Sequence, residues 1–197
     1  MGYSELDFNF YRPLDGKSAE DVYGLVTDRL SEFDDLNIFP SSRLRLNLVN
    51  DGMLKKPNHL PKNFKYRYET FVALRRHFNA NRVKPWSEMI VDVLGVKIFG
   101  NRIGLVLGSR HKISDERKAV YEVAGFENRD FKFKLSQFIP HVNVGSLEPD
   151  APNSSHLTYA EDTLREVIEQ IPTVKLGALC LNIDNQKLWS FEGFDQA

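Results

Sequence analysis

Polar and apolar residues alternate with a period of two in several short stretches of the chain. The cleanest is residues 43–50, Arg-Leu-Arg-Leu-Asn-Leu-Val-Asn. Successive side chains of a strand point to opposite faces. Leu44, Leu46 and Leu48 therefore form a core face, with Arg45 and Asn47 on the other. A second alternating run, residues 131–144, ends in Ile139-Pro140-His141-Val142-Asn143-Val144, followed by Gly145. Here Val142 and Val144 point one way, and His141 and Asn143 the other. A shorter run at 6–11 reads as a first strand, stopped by Pro13 and Gly16. Two strand pairs complete the extended segments. Residues 90–99 and 103–107 join through Gly100-Asn101, a hairpin signal. Residues 174–183 and 187–192 join through Asp184-Asn185.

Between these runs the apolar spacing becomes helical. Val22, Leu25, Val26, Leu30 and Phe33 predict a helix over 18–33, with Ser18 as N-cap and Asp21 in the capping-box position. Further helices are expected over 64–80, over 115–125 behind Ser114, and after Thr158, which forms a second capping box with Glu161. The predicted order is β-α-β-α-β-β-α-β-α-β-β. No linker or low-complexity tract interrupts it, so residues 1–197 are expected to form one α+β domain with an internally duplicated plan.

Composition narrows the function classes. The 26 basic and 27 acidic residues leave a formal net charge of −1. No overall field draws the chain to an anionic membrane or to long duplex nucleic acid. The single cysteine, Cys180, lies in an apolar run and reads as a buried thiol. One cysteine allows neither an intramolecular disulfide nor a cysteine-based zinc site, which fits a reducing compartment. Nothing near Met1 resembles a signal peptide, and no apolar run approaches the ~18 residues of a membrane span. A cytoplasmic location is expected. No His/Asp/Glu spacing matches a metal site and no glycine-rich phosphate loop is present, so neither metal nor other cofactor is expected.

The candidate chemistry lies on the two polar-faced strands. One reads Leu44-Arg45-Leu46-Asn47-Leu48 and the other Pro140-His141-Val142-Asn143-Val144, both of the form polar, aliphatic, Asn, aliphatic. Packed about a pseudo-twofold axis, they would bring Arg45, Asn47, His141 and Asn143 into one groove. Such a set suits phosphate. Arg offers a rigid fork of donors, Asn donates amide hydrogens, and His can donate a hydrogen bond or move a proton.

With these motifs and this order of elements, most of the chain resembles the 2H phosphoesterase superfamily, the two-histidine fold of 2′-5′ RNA ligases and cyclic phosphodiesterases. Its signature is a pair of His-x-Thr/Ser motifs flanked by aliphatics, the second commonly preceded by proline and followed by glycine, as around His141. The resemblance implies a bilobal fold in which two pseudo-symmetric antiparallel sheets line a central groove, with helices outside. It implies a phosphodiester substrate, one histidine as base, the other as acid, and the hydroxyls as phosphate holders.

This chain departs from that pattern at three positions. Arg45 replaces the first histidine, and Asn47 and Asn143 replace the two hydroxyl residues. Arg45 cannot exchange a proton near neutral pH, but it can hold a phosphate and stabilise charge developing on it. His141 is thus left as the sole acid–base candidate, Arg45 as the clamp, and Asn47 and Asn143 as positioning donors. A competing placement, His77-Phe78-Asn79, would restore two histidines but falls in a strongly helical stretch. The expected ligand is a cyclic nucleotide, a 2′-5′-linked oligonucleotide or an RNA end bearing a 2′,3′-cyclic phosphate. The alternative is a non-catalytic module that sequesters a nucleotide or binds a protein. An aromatic for base stacking is expected in such a groove, though the sequence singles none out, and it leaves the oligomeric state open.

Overall fold

The computed structural model describes residues 8–50, 76, 87–123, 138–148, 155–183 and 186–190. The alternating runs become strands β1 (Phe8–Pro13), β3 (Arg45–Asn50), β4 (Met89–Phe99), β5 (Arg102–Leu107), β6 (His141–Leu147) and β9 (Gln186–Ser190). Helices α1 (Gly16–Leu30), α2 (Arg110–Val123) and α3 (Ser155–Val167) lie between them. A short strand β2 (Leu36–Ile38), inside what reads as a connection, pairs with β6. Strands β7 (Thr173–Leu176) and β8 (Cys180–Ile183) complete the set.

The strands form one antiparallel path in the order β7-β4-β5-β6-β3-β1-β8-β9, with β2 added beside β6. The path divides into two four-stranded halves, β7-β4-β5-β6 and β3-β1-β8-β9. They meet at the β3–β6 seam, where Leu46 faces Val142. One face of the curled sheet carries the core. Leu44, Leu46, Leu48, Ile103, Leu105, Val142 and Val144 are buried there against Val22, Val26 and Leu30 of α1, Val120 of α2, and Ala160 and Leu164 of α3. The helices therefore cover one face and leave the other to form the groove. This is the expected α+β bilobal arrangement.

The β3-β1-β8-β9 half draws strands from both ends of the chain. The run at 174–183 reads as one strand because its apolar residues are nearly continuous, yet it is two. Residues 173–176 pair with β4 in one half and residues 180–183 with β1 in the other. The switch occurs at Gly177, whose N–H donates to the Pro13 carbonyl at 2.8 Å. A Cβ there would lie 3.3 Å from the proline ring, so the close crossing favours glycine.

Helix starts shift for local reasons. Helix α1 begins at Gly16, before the predicted cap. The Asp15 carboxylate accepts from the Ser18 N–H at 2.8 Å, and the Ser18 hydroxyl instead accepts from the Lys175 N–H at 3.0 Å. Helix α3 begins at Ser155, placing Thr158 inside it and burying Leu157. Helix α2 likewise starts before Ser114, following Ser109 at φ 56°. Apart from Arg76, which is helical, the predicted helix over 64–80 lies outside the described residues, as does the first part of the 131–144 strand.

Candidate functional site

Pairing at the seam decides which side chains meet. Leu46 and Val142 are fully buried on the core face. Their chain neighbours Arg45, Asn47, His141 and Asn143 are all half-buried and occupy the opposite, groove face of two adjacent strands. The four residues singled out by the sequence are brought together. Each motif strand also carries an irregularity just after its asparagine. On β3 the register against β1 steps from Phe10↔Val49 to Tyr11↔Asn47, leaving Leu48 extra. On β6 the register against β5 steps from Ile103↔Gly145 to Gly104↔Asn143, leaving Val144 extra. Bulges increase local twist and re-aim neighbouring side chains, and here they recur at equivalent places in the two halves.

Neighbouring strands add residues that the motif did not mark. Asn9 of β1 donates its amide to Asn47 Oδ1 at 2.7 Å. That bond orients Asn47, leaving its own NH2 without a protein partner among the described residues. The Arg45 guanidinium lies over the Tyr11 ring, 4.8 Å from its centroid, and the Tyr11 hydroxyl donates to Asn182 Oδ1 at 3.0 Å. Burial, with a smaller contribution from Cys180, raises the Tyr11 pKa, while the Arg45 charge opposes the rise. Tyr11 is thus a neutral platform for a charged guanidinium.

His141 is constrained twice. Its Nδ1–H donates to the Ile139 carbonyl at 2.7 Å. A neutral imidazole with Nδ1 protonated presents Nε2 as an acceptor, and Nε2 has no partner among the described residues. The Phe99 ring lies flat against the imidazole, with centroids 3.8 Å apart and planes 13° from parallel. Burial lowers the His141 pKa, the Ile139 bond partly opposes this, and the Arg102 charge lowers it further. The imidazole is therefore neutral at physiological pH, with its basic nitrogen open.

Asn143 sits less comfortably. Its Oδ1 is buried with no hydrogen-bond partner among the described residues, an arrangement that typically costs about 1–3 kcal/mol.

Arg12, which by position could reach the groove rim, points the other way. It is 1% exposed and forms a bidentate pair with Glu116 of α2. Strand parity explains this, because Tyr11 takes the groove face and Arg12 the core face. His77 and His59 lie outside the described residues. His156 belongs to α3 and contacts Asp35 Oδ2 at 2.7 Å. Among the described residues no group of His, Cys, Asp or Glu could hold a metal ion. No helix among them is long and apolar enough to cross a membrane.

Several solved structures share this architecture across nearly the whole chain. The conserved protein of unknown function ATU0111 from Agrobacterium tumefaciens superposes with a TM-score of 0.60 at 11% identity, covering 96% of this chain and 88% of that one. Usb1 of Kluyveromyces marxianus, solved with uridine monophosphate, gives 0.57 at 14% identity, covering 93% and 96%. TT0787 of Thermus thermophilus gives 0.54 at 12% identity with the same coverages. The chain has the 2H phosphoesterase fold. No protein-family model and no curated protein matches the sequence. The 2H phosphoesterase fold is thus carried here by sheet order and seam geometry at identities of 11–14% across these three structures. Sequence had found its place through the seam aliphatics and the proline-flanked motif. It missed Asn9, Phe99 and Asn182, whose only signal was strand parity relative to partners not yet assigned.

Proposed function

We propose that the groove binds a phosphodiester-containing nucleotide and that His141 serves it as a lone general base. The observation that carries this reading is the pairing of an open, neutral His141 Nε2 with Arg45 and Asn47 on the adjacent strand. The guanidinium would hold the non-bridging phosphate oxygens through charge-assisted bonds. The amides of Asn47 and Asn143 would orient the phosphate. Usb1, a structural neighbour, was solved with uridine monophosphate, which supports a nucleotide as the ligand class.

For a 2′,3′-cyclic phosphate the reaction balances as a hydrolysis. His141 Nε2 takes a proton from water as the water oxygen bonds to phosphorus. One ribose P–O bond breaks, and the departing oxygen takes its proton from solvent, because Arg45 cannot supply one. Arg45 stabilises the charge gathering on the phosphoryl oxygens. Lacking a proton donor on the leaving-group side, such an enzyme would forgo about 10²–10⁴ in rate.

A second reading rests on the same arginine. Because Arg45 binds anions and does not titrate, the groove could hold a nucleotide without turning it over. Calorimetry and chromatography with 2′,3′-cyclic nucleotides, 2′-5′-linked dinucleotides and short RNAs with cyclic-phosphate ends separate the two. The expected result is saturable binding that Arg45→Ala weakens, with slow product formation that His141→Ala abolishes. Product formed equally well by His141→Ala would overturn the catalytic reading. Absence of binding to every nucleotide would overturn both.

A further inference from the structure

Phe99 and His141 touch although a whole strand separates them. Phe99 belongs to β4 and His141 to β6, with β5 between. Adjacent strands are about 4.8 Å apart, so an aromatic ring on β4 reaches β6 only by lying across the backbone of β5. The residue at the crossing is Gly104. A Cβ there would lie 3.3 Å from Phe99 Cδ2, 3.1 Å from the Val142 carbonyl oxygen and 3.2 Å from Asn143 Oδ1. Lys97 on β4 and Asn143 on β6 flank Gly104 in register. The absence of a side chain leaves a gap in the groove face of β5, and the Phe99 ring occupies it.

We propose that Phe99, seated over Gly104, is a positioning residue that fixes the imidazole of His141. This inference rests on the functional reading only for its catalytic consequence. Two restraints set the ring. The Ile139 carbonyl holds Nδ1 at 2.7 Å, which fixes the tautomer and one edge. The Phe99 face, 13° from parallel, blocks rotation out of that plane and covers one side of the imidazole. With both in place, Nε2 has a single direction of approach. Either restraint alone leaves a degree of freedom, because a single hydrogen bond permits tilting and a single stack permits sliding. The covered face also becomes unavailable to a ligand base, so any base stacking must use another surface.

The arrangement accounts for part of the environment of the histidine. Burial is the largest cause of its lowered pKa, and the phenyl ring in van der Waals contact contributes to that burial. The register shift between Ile103 and Gly104 places the irregular step of the β5–β6 pair beside the crossing, where the ring must pass.

NMR of the imidazole tests this without requiring activity. In the wild-type chain the His141 ring protons should carry the upfield ring-current shift of a stacked aromatic, and the Nε2 signal should report the unprotonated nitrogen. Phe99→Leu should remove the ring-current shift and raise the His141 pKa toward the free-imidazole value of about 6.5. Phe99→Tyr should preserve both. Gly104→Ala should behave like Phe99→Leu, because the added methyl occupies the crossing. If nucleotide turnover is observed, Phe99→Leu should lower kcat by up to about 10²-fold, the scale of a misplaced reacting group, with KM little changed, and Phe99→Tyr should restore it. A wild-type spectrum with no ring-current shift at His141 would overturn the proposal, as would a titration unchanged in both Phe99→Leu and Gly104→Ala. Failure of every nucleotide to bind would refute the functional reading and leave these spectroscopic outcomes standing.

Discussion

The strongest structural prediction concerns Arg12 and Glu116, beneath the groove. Both are about 1% exposed. The guanidinium Nε and one terminal nitrogen donate to the two carboxylate oxygens at 2.6 and 2.7 Å. The other terminal nitrogen donates to the Ser87 carbonyl at 2.9 Å and the Gly177 carbonyl at 2.7 Å. One side chain of β1 thus ties together helix α2, the entry to β4 and the switch between the two halves. Glu116→Ala would strip the buried guanidinium of the carboxylate that accepts two of its hydrogen bonds. Removing one member of a buried pair typically costs about 3–5 kcal/mol. At about 2–4 °C of melting temperature per kcal/mol for a chain of this size, a drop of about 6–20 °C follows. The double variant Arg12→Met with Glu116→Leu removes both desolvated charges and should recover much of the loss, since hydrophobic replacement of a buried pair is often neutral or better. Urea unfolding of the wild type, Arg12→Met, Glu116→Leu and the double variant closes the cycle. Single variants costing about 1 kcal/mol or less, the range of an exposed pair, would refute the reasoning.

Other predictions follow from the groove and the seam. Arg45→Ala should weaken nucleotide binding about 10–100-fold by calorimetry, since a hydrogen bond to a charged group contributes about 1.5–3 kcal/mol, and Arg45→Lys should restore only part of it because the ammonium lacks the planar fork. Leu46→Ala should cost about 2–5 kcal/mol in chemical denaturation, because Leu46 is fully buried and pairs with Val142 where β3 meets β6. His141 makes stability depend on pH in a known direction. Its folded pKa lies below the ordinary histidine value, so below about pH 6.5 the unfolded chain binds the proton first and stability falls until the folded-state pKa is passed. The melting temperature of wild type should therefore drop more steeply than that of His141→Gln as the pH is lowered from 7; parallel curves would contradict it.

How much of this was legible in the sequence depended on the range of the interaction. Period-two alternation placed β3 and β6 and assigned the faces of Arg45, Asn47, His141 and Asn143, because parity is local. The hairpin at Gly100-Asn101 was legible for the same reason, and Gly100 does adopt φ 65°. Parity also sends Arg12 into the core, but that could not be recognised until β1 was paired with Leu46 and its partners. The run 174–183 was misread because apolarity reports burial and not the partner strand; only the crossing at Gly177 separates β7 from β8. The Phe99 stack was invisible for a further reason, since it needs the order β4-β5-β6 and a glycine at one register position. β2 is three residues long, too short for a pattern to emerge.

The duplicated plan separates what the fold requires from what the chemistry requires. At the seam, packing depends on the aliphatics Leu46, Leu48, Val142 and Val144, which are all buried. The polar residues beside them project from the opposite face and carry no such packing duty. Arg45 can therefore stand where the resemblance would place a histidine without disturbing the seam, and under the proposed reading its role there concerns the ligand. On the strand beside a neutral imidazole, a permanent cation on a tyrosine face favours a bound anion and supplies no proton. In the proposed hydrolysis the barrier then follows the basicity of the leaving oxygen. Esters of acidic alcohols should turn over with His141 alone, whereas ordinary nucleoside esters should bind well and react slowly. Comparing p-nitrophenyl phosphodiesters with the corresponding nucleotides reads that dependence directly, and equal rates for the two would show that a proton donor does act on the leaving group.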